Sequence, residues 1–188
     1  MQIITLAELP ATPWRNGGGQ TRALASGNAA GRIAHPDGFD WRISLADLES
    51  DGPFSTFAGI DRHALLLGDG AVELAGPSAA VMARPLLPIS FPGELELSAR
   101  RQPGTVQPRL LNLMVRRTAL RGEIRVVTHA CRIDDAVAWA CVPLRGAWHL
   151  CGHQVEVGQA VLAQRGDARL APRTVDACAA LVMVRPLP

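Results

Sequence analysis

Residues 65–76 read Leu-Leu-Leu-Gly-Asp-Gly-Ala-Val-Glu-Leu-Ala-Gly, and residues 141–152 read Cys-Val-Pro-Leu-Arg-Gly-Ala-Trp-His-Leu-Cys-Gly. Laid over each other at an offset of 76, the two stretches share Gly70/Gly146, Ala71/Ala147, Leu74/Leu150 and Gly76/Gly152. Each has the form strand, tight glycine turn, strand, second glycine turn. Each also follows a segment that alternates every second residue. In Asp40–Ala46, Trp41, Ile43 and Leu45 fall on one face and Arg42 and Ser44 on the other. In Leu111–Arg117, Leu111, Leu113 and Val115 oppose Asn112, Met114 and Arg116. A period of two is the mark of a strand. Two equivalent antiparallel units in one chain predict paired barrels or jelly rolls.

The rest of the chain agrees with an all-β reading. Fourteen Pro and 18 Gly break it into short segments, leaving little room for helix beyond a turn near Leu6–Leu9 and another near Leu45–Glu49. Further strands are expected at Ala64–Leu67, Ala71–Leu74, Glu94–Ser98, Glu123–Thr128, Val137–Val142, Trp148–Cys151, Ala160–Ala163 and Ala179–Val184. The second copy runs on through short strands and a Gly166-Asp167 turn, a pattern that looks like a cupin. The expected fold is therefore an all-β double cupin with very little helix, with approximate halves 1–105 and 106–188.

Composition removes several chemistries. All 19 basic residues are Arg and there is no Tyr, so neither a Schiff-base or P-loop lysine nor a tyrosyl acid is available. A net charge of +2 is too near neutral for a dedicated nucleic-acid binder. No apolar run approaches a membrane span, and the N-terminus lacks a signal-peptide pattern. Cys131, Cys141, Cys151 and Cys178 form no Cys-x-x-Cys pair and read as small apolar side chains of a reducing compartment. A cytoplasmic protein is expected, with no nucleic-acid or membrane partner.

The stretch most open to recognition is Pro13-Trp-Arg-Asn-Gly-Gly-Gly-Gln-Thr-Arg22. Gly17, Gly18 and Gly19 permit positive φ and close backbone approach, whether to a ligand or only to a neighbouring strand. Trp14 and Asn16 add a stacking surface and directional hydrogen bonding. A second stretch, Asp51–Arg62, carries an Asp-Gly-Pro turn, two phenylalanines expected in the core, and Arg62 at the start of a strand.

These motifs carry a resemblance. Pro-Trp-Arg-Asn-Gly-Gly-Gly-Gln-Thr, then Phe39-Asp-Trp-Arg-Ile-Ser-Leu-Ala, then Asp51-Gly-Pro-Phe-Ser with Gly59-Ile-Asp-Arg62, resembles the HutD/Ves family. Ser90-Phe-Pro-Gly-Glu94 and Leu111-Asn-Leu-Met-Val-Arg-Arg117 continue it over essentially the whole chain. The resemblance implies a bicupin fold and a link to histidine utilisation. It also leads one to expect an acidic residue shortly before Asn112, where this chain has Arg109-Leu110-Leu111.

Other site chemistries are poorly supplied. A cupin metal site needs His-x-His with a downstream Glu, and His35, His63, His129, His149 and His153 do not form one. His149, Cys151 and His153 would share a face only if one strand ran through them, and Gly152 argues for a turn. No cofactor is expected. There is no Gly-x-Ser-x-Gly elbow and no evidently activated cysteine. Seven Arg against one acid lie in residues 100–125, without aromatics for base stacking, and read as solvated strand surface.

What remains is a pocket lined by Trp14, Asn16, Gly17, Gly18, Gly19, Arg42, Ser44, Arg62, Asn112 and Met114. If the polar faces of the alternating strands look inward, guanidinium, amide and hydroxyl groups suit a small carboxylate. The leading expectation is metal-independent binding of such a metabolite by a sensor or regulator, as a monomer or homodimer. The alternative is a metal-independent isomerase or hydrolase of a formimino- or formyl-amino acid. A structural or interaction protein with no ligand is the third possibility, with Arg42 and Arg62 then paired to structural acids such as Asp51 and Asp61.

Overall fold

The computed structural model describes residues 1–29 and 38–187 of the chain; His35 lies outside them. Nineteen strands run in order: β1 Gln2–Thr5, β2 Ala11–Pro13, β3 Gly19–Gly27, β4 Trp41–Leu48, β5 Gly52–Pro53, β6 Ile60–Leu67, β7 Val72–Ala75, β8 Ala80–Ala83, β9 Ile89–Pro92, β10 Ser98–Arg101, β11 Arg109–Arg116, β12 Leu120–Val127, β13 Cys131–Ile133, β14 Ala138–Arg145, β15 Ala147–Leu150, β16 His153–Glu156, β17 Gln159–Ala163, β18 Ala168–Pro172 and β19 Cys178–Pro186. Among the described residues the helix is a single 3-10 turn, Leu6–Glu8.

The chain forms two compact units, one of Pro10–Leu120 and one of Met1–Leu9 with Arg121–Pro188. The first holds a six-stranded sheet, β2-β3-β4-β11-β6-β9, and a four-stranded sheet, β5-β10-β7-β8. The second holds a five-stranded sheet, β1-β17-β14-β19-β12, and a four-stranded sheet, β13-β18-β15-β16. Adding eight to each strand number turns β4-β11-β6-β9 into β12-β19-β14-β17, and β5-β10-β7-β8 into β13-β18-β15-β16. The two units thus have one internal strand order.

The glycines of the sequence repeat occupy matching turns. Gly70 lies between β6 and β7 and Gly146 between β14 and β15, both with positive φ, at 92° and 63°. A Cβ on Gly70 would sit 2.4 Å from Thr105 Oγ1, and one on Gly146 2.1 Å from Thr174 Oγ1. The hydroxyls are there because they bind the next residue: the Ala71 N–H donates to Thr105 Oγ1 at 3.0 Å and the Ala147 N–H to Thr174 Oγ1 at 3.3 Å. A turn that needs both left-handed backbone and an incoming hydroxyl leaves room only for glycine.

Each unit encloses its own core. In the first, Ala46, Leu48, Ala64, Leu66, Phe91 and Leu110 of the larger sheet pack on Val72, Leu74, Ala83 and Ala99 of the smaller. In the second, Trp139, Trp148, Val161, Leu170, Leu181 and Met183 fill the interior. The opposite face of the six-stranded sheet is buried as well, through Ile43, Leu45, Leu65, Leu111 and Leu113.

Three local expectations are corrected. Leu45–Glu49 is not helical: residues 45–48 continue β4, because Leu45 and the residues before it pair along both edges with β3 and β11. Glu94–Ser98 is not a strand through its length; Gly93-Glu94 is a turn, and pairing starts at Ser98. Cys151 is exposed rather than packed in a core, while Cys141 and Cys178 are buried.

Candidate functional site

Register places the polar residues of three strands on one face. β11 pairs with β4 so that Met114 faces Arg42 and Asn112 faces Ser44. It pairs with β6 so that Met114 faces Arg62 and Asn112 faces Ala64. Arg62 in turn faces Phe91 of β9. By strand alternation, Arg42, Ser44, Asn112, Met114 and Arg62 share the face of Ala46, Leu110 and Leu66, which is the face turned to the core of the first unit. The polar face of the alternating strands therefore looks inward.

Arg62 is the centre of this arrangement. It is only 8% exposed, and its guanidinium carbon stands 5.0, 5.6 and 5.2 Å from the ring centroids of Phe54, Phe57 and Phe91. Nη1 donates to the Ser55 carbonyl at 3.0 Å, while Nε is buried with no partner. The acids that could have neutralised it are engaged elsewhere. Asp51 accepts from Arg101 at 3.1 Å and Asp61 from Arg117 at 2.6 Å. Burial lowers the Arg62 pKa to about 10, since desolvation penalises the charged form and no anion compensates. A buried cation held by three rings and one carbonyl has aromatic attraction but no counter-charge among the described residues.

Asn112 supplies a second incomplete group. Its Nδ2 donates to the Leu110 carbonyl at 3.1 Å, which fixes the amide orientation and leaves Oδ1 buried without a donor. Arg42 is half-buried and has no hydrogen-bond or ion-pair partner among the described residues. Ser44 and Met114 are buried beside them. Met114 also joins Phe39, Ile60 and Phe57 in a small apolar cluster next to Arg62.

The Trp14–Gly19 stretch forms the β2–β3 hairpin. The Trp14 indole N–H donates to Thr21 Oγ1 at 2.8 Å, and its ring meets Phe54 edge-on at 6.4 Å, so Trp14 reaches Arg62 through that ring. Asn16 and the glycines have local tasks. Asn16 Oδ1 accepts the Gly18 N–H at 3.0 Å, Gly17 takes φ 68°, and a Cβ on Gly19 would lie 2.1 Å from the Asp47 carbonyl oxygen. The structure thus gathers Arg42, Ser44, Arg62, Asn112 and Met114, buttresses them through Trp14, and uses Asn16 and Gly17–Gly19 to close the hairpin. The cage of Phe54, Phe57 and Phe91 was not among the expected site residues; its signal was the Phe-x-x-Phe spacing next to the Asp-Gly-Pro turn.

Several other charges are paired with one another. Asp47 lies between Arg22 and Arg109 and binds both, so the residue standing ahead of Asn112 is a cation paired across strands. Arg117 bridges Asp61 and Glu94, and that contact with the Gly59 N–H holds the Glu94 carboxyl down at about 2. Fully buried Asp40 binds Arg116 and the Ala29 N–H.

In the second unit, Cys151-Gly152 is the turn between β15 and β16. Leu150 pairs with His153 and His149 with Gln154, which puts the two histidines on opposite faces. Among the described residues no three His, Cys, Asp or Glu side chains converge where a metal ion could be held. Arg132, Cys151, Asp167, Ala168 and Arg169 line an open depression of about 330 Å³. Burial pushes the Cys141 thiol up to about 12, far from a thiolate nucleophile. No helix of the described residues is long and apolar enough to cross a membrane.

Known proteins match this chain over most of its length. The HutD family model covers residues 6–181. An uncharacterised 21.2 kDa protein encoded in the hutC 3′ region of Pseudomonas putida is 38% identical over 57% of this chain and 55% of its own length. Protein Ves of Citrobacter koseri is 30% identical over 80% of this chain and 76% of its own. Among solved structures, HutD from Pseudomonas fluorescens SBW25 superposes with a TM-score of 0.79 at 23% identity, covering 100% of this chain and 99% of that one. A cupin 2 conserved barrel protein from Leptotrichia buccalis gives a TM-score of 0.57 at 10% identity, covering 98% and 96%. The all-β fold is cupin-like.

Proposed function

The chain belongs to the HutD family, and from that premise we propose that it binds a small carboxylate metabolite, without a metal, as a cytoplasmic sensor or regulator linked to histidine utilisation. The observation that carries this reading is Arg62: a guanidinium buried among three phenylalanine rings, with no acid beside it among the described residues and an unpaired Nε. A planar carboxylate accepting two charge-assisted hydrogen bonds supplies the missing counter-charge. Metal-ligand chemistry has no matching donor set among the described residues. The pathway assignment is supported by the hutC-region relative.

The protein is read as a bicupin, its two units copies of one ancestral fold. The strand orders match under the shift of eight, and the Gly70–Thr105 and Gly146–Thr174 turns repeat the same detail. The copies have diverged inside: Arg62, Ser44 and Asn112 lie on the inward face of the first, while the core of the second is apolar around Trp139 and Trp148. One ligand per chain is expected.

Titration of the protein with carboxylates from histidine breakdown, followed by calorimetry, tests the reading. Saturable binding lost in Arg62→Gln, with the ligand recovered unchanged, supports it. Consumption of the ligand by the wild type but not by Arg62→Gln would replace the binder with the enzyme.

A further inference from the structure

We infer that the open depression on the outside of the second unit is a separate ligand site, and that Arg132, Arg169 and Asp167 hold a small acidic amino acid there by its two carboxylates and its ammonium. The site does not depend on Arg62, and its ligand is additional to the single interior one. Ile133, Ala168 and Leu170 belong to the core of the second unit, so by strand alternation Arg132 and Arg169 point out of it. Register sets the two arginines directly opposite each other across β13 and β18. Like charges in that position, with Cβ atoms about 4.5–5.5 Å apart, work against the sheet. The fold does not demand them. Leu74 pairs with Ala99 in the first unit as Leu150 pairs with Leu170 in the second. Arg169 therefore matches Ser98, and Arg132 matches Pro53, the residue opposite Ser98. The same row of the same sheet is uncharged in one unit and doubly cationic in the other.

Both arginines line the depression of about 330 Å³, together with Cys151, Asp167 and Ala168. Arg132, Arg169 and Asp167 are exposed, and none of the three side chains has a hydrogen bond or ion pair among the described residues. Two guanidinium groups and one carboxylate thus surround one space, each without a partner there. The ligand that matches them carries two anionic groups and one cationic group. A plain dianion, such as phosphate or a dicarboxylate, satisfies the arginines but sets a negative charge against Asp167. An acidic amino acid meets all three, with its carboxylates on the guanidinium forks and its ammonium on Asp167. The depression is open, so each pair contributes little, and the affinity is weak and falls with salt.

Cys151, exposed on the wall of the depression, reports its occupancy. Alkylation of Cys151 by iodoacetamide, read from the mass of the peptide that carries it, is followed as L-glutamate is added at fixed ionic strength. Arg62→Gln protein is used throughout, so that binding at Arg62 does not contribute. Glutarate, which lacks the ammonium, and 4-aminobutyrate, which lacks the second carboxylate, are the comparison probes. Expected is saturable protection of Cys151 by glutamate, with half-effect at roughly millimolar concentration. Each comparison probe should be about fivefold weaker, the value of one exposed ion pair. Adding Arg132→Gln or Arg169→Gln should remove the protection, and adding Asp167→Asn should remove the preference for glutamate over glutarate. Without ligand, both arginine variants should melt at or above the temperature of their parent, because each relieves a like-charge pair. Absence of saturable protection, glutarate protecting as well as glutamate, or a preference that survives Asp167→Asn would overturn the inference. A lowered Tm in both arginine variants would overturn it too, by making the pair structural. None of these outcomes depends on whether Arg62 binds a carboxylate.

Discussion

Replacing Arg62 with Met separates a residue held for a ligand from one held for the fold. The guanidinium pKa falls from 12.5 to about 10 on burial. At about 1.4 kcal/mol per pH unit, the charged side chain is carried at a cost of roughly 3 kcal/mol. Against this stand the Ser55 carbonyl bond, about 1.5–3 kcal/mol for a charged donor, and the shared contact of one desolvated guanidinium with three rings, about 2 kcal/mol in all. Methionine gives up both but removes the desolvation cost and adds about 2 kcal/mol of apolar burial among Phe54, Phe57 and Phe91. The terms nearly cancel, so Arg62→Met should stay within about 1 kcal/mol of wild type, or about 2–4 °C in Tm for a chain of this size. Below pH 10 the folded and unfolded states both hold the proton, so the difference between wild type and variant should not vary with pH. Ligand affinity should fall by about 2–5 kcal/mol. Urea unfolding and calorimetric titration of the same samples give both numbers. A loss of 3 kcal/mol or more in stability, with affinity per folded molecule intact, would refute the reasoning and return Arg62 to a structural role.

Asp47→Asn should destabilise by about 1–3 kcal/mol in urea, because it leaves Arg22 and Arg109 facing each other without an acid; ligand affinity should not change. Glu94 has its pKa lowered from 4.5 to about 2, chiefly by Arg117 and then by the Gly59 N–H, so its stabilising effect is complete above pH 4.5 and lost as pH falls to 2. Arg117→Gln should flatten the acid limb of the stability curve between those values by under about 1 kcal/mol, as the pair is exposed; an unchanged limb counts against the assignment. Gly19→Ala should cost more than Gly17→Ala in thermal unfolding, because the first drives a Cβ against the rigid Asp47 carbonyl while the second meets open space and only strained φ, about 1–2 kcal/mol.

Strand alternation made much of this legible. The period of two in Asp40–Ala46 and Leu111–Arg117 identified β4, β11 and the face shared by Arg42, Ser44 and Asn112, since alternation is a local property that tertiary packing preserves. The repeated Gly-Ala turn marked β6–β7 and β14–β15, because only glycine tolerates that turn with a threonine across it. The edge strands β1, β2, β5, β8, β9, β13 and β16 and the interior strand β18 were hidden, being two to five residues long and too short to display a period. Leu45–Glu49 read as a possible helix because Leu, Ala and Glu favour one, but pairing on both sides of β4 decided otherwise. The phenylalanine cage was legible only in part: the Phe-x-x-Phe spacing marked Phe54 and Phe57 in their loop, but Phe91 comes from β9, and only register brings it to Arg62.

The central claim is that Arg62 stands uncompensated until a carboxylate arrives, and the Arg62 side-chain N–H resonance reports on it directly. The Nε–H signal, assigned by its disappearance in Arg62→Gln, can be followed by ¹H–¹⁵N correlation as N-acetylglycine is added, with acetamide as the uncharged control. The account predicts a saturable downfield shift of this proton with the carboxylate and none with acetamide, as an unpaired donor gains a charged acceptor. An Nε–H that stays in place through the carboxylate titration, in a protein that remains folded, would contradict it.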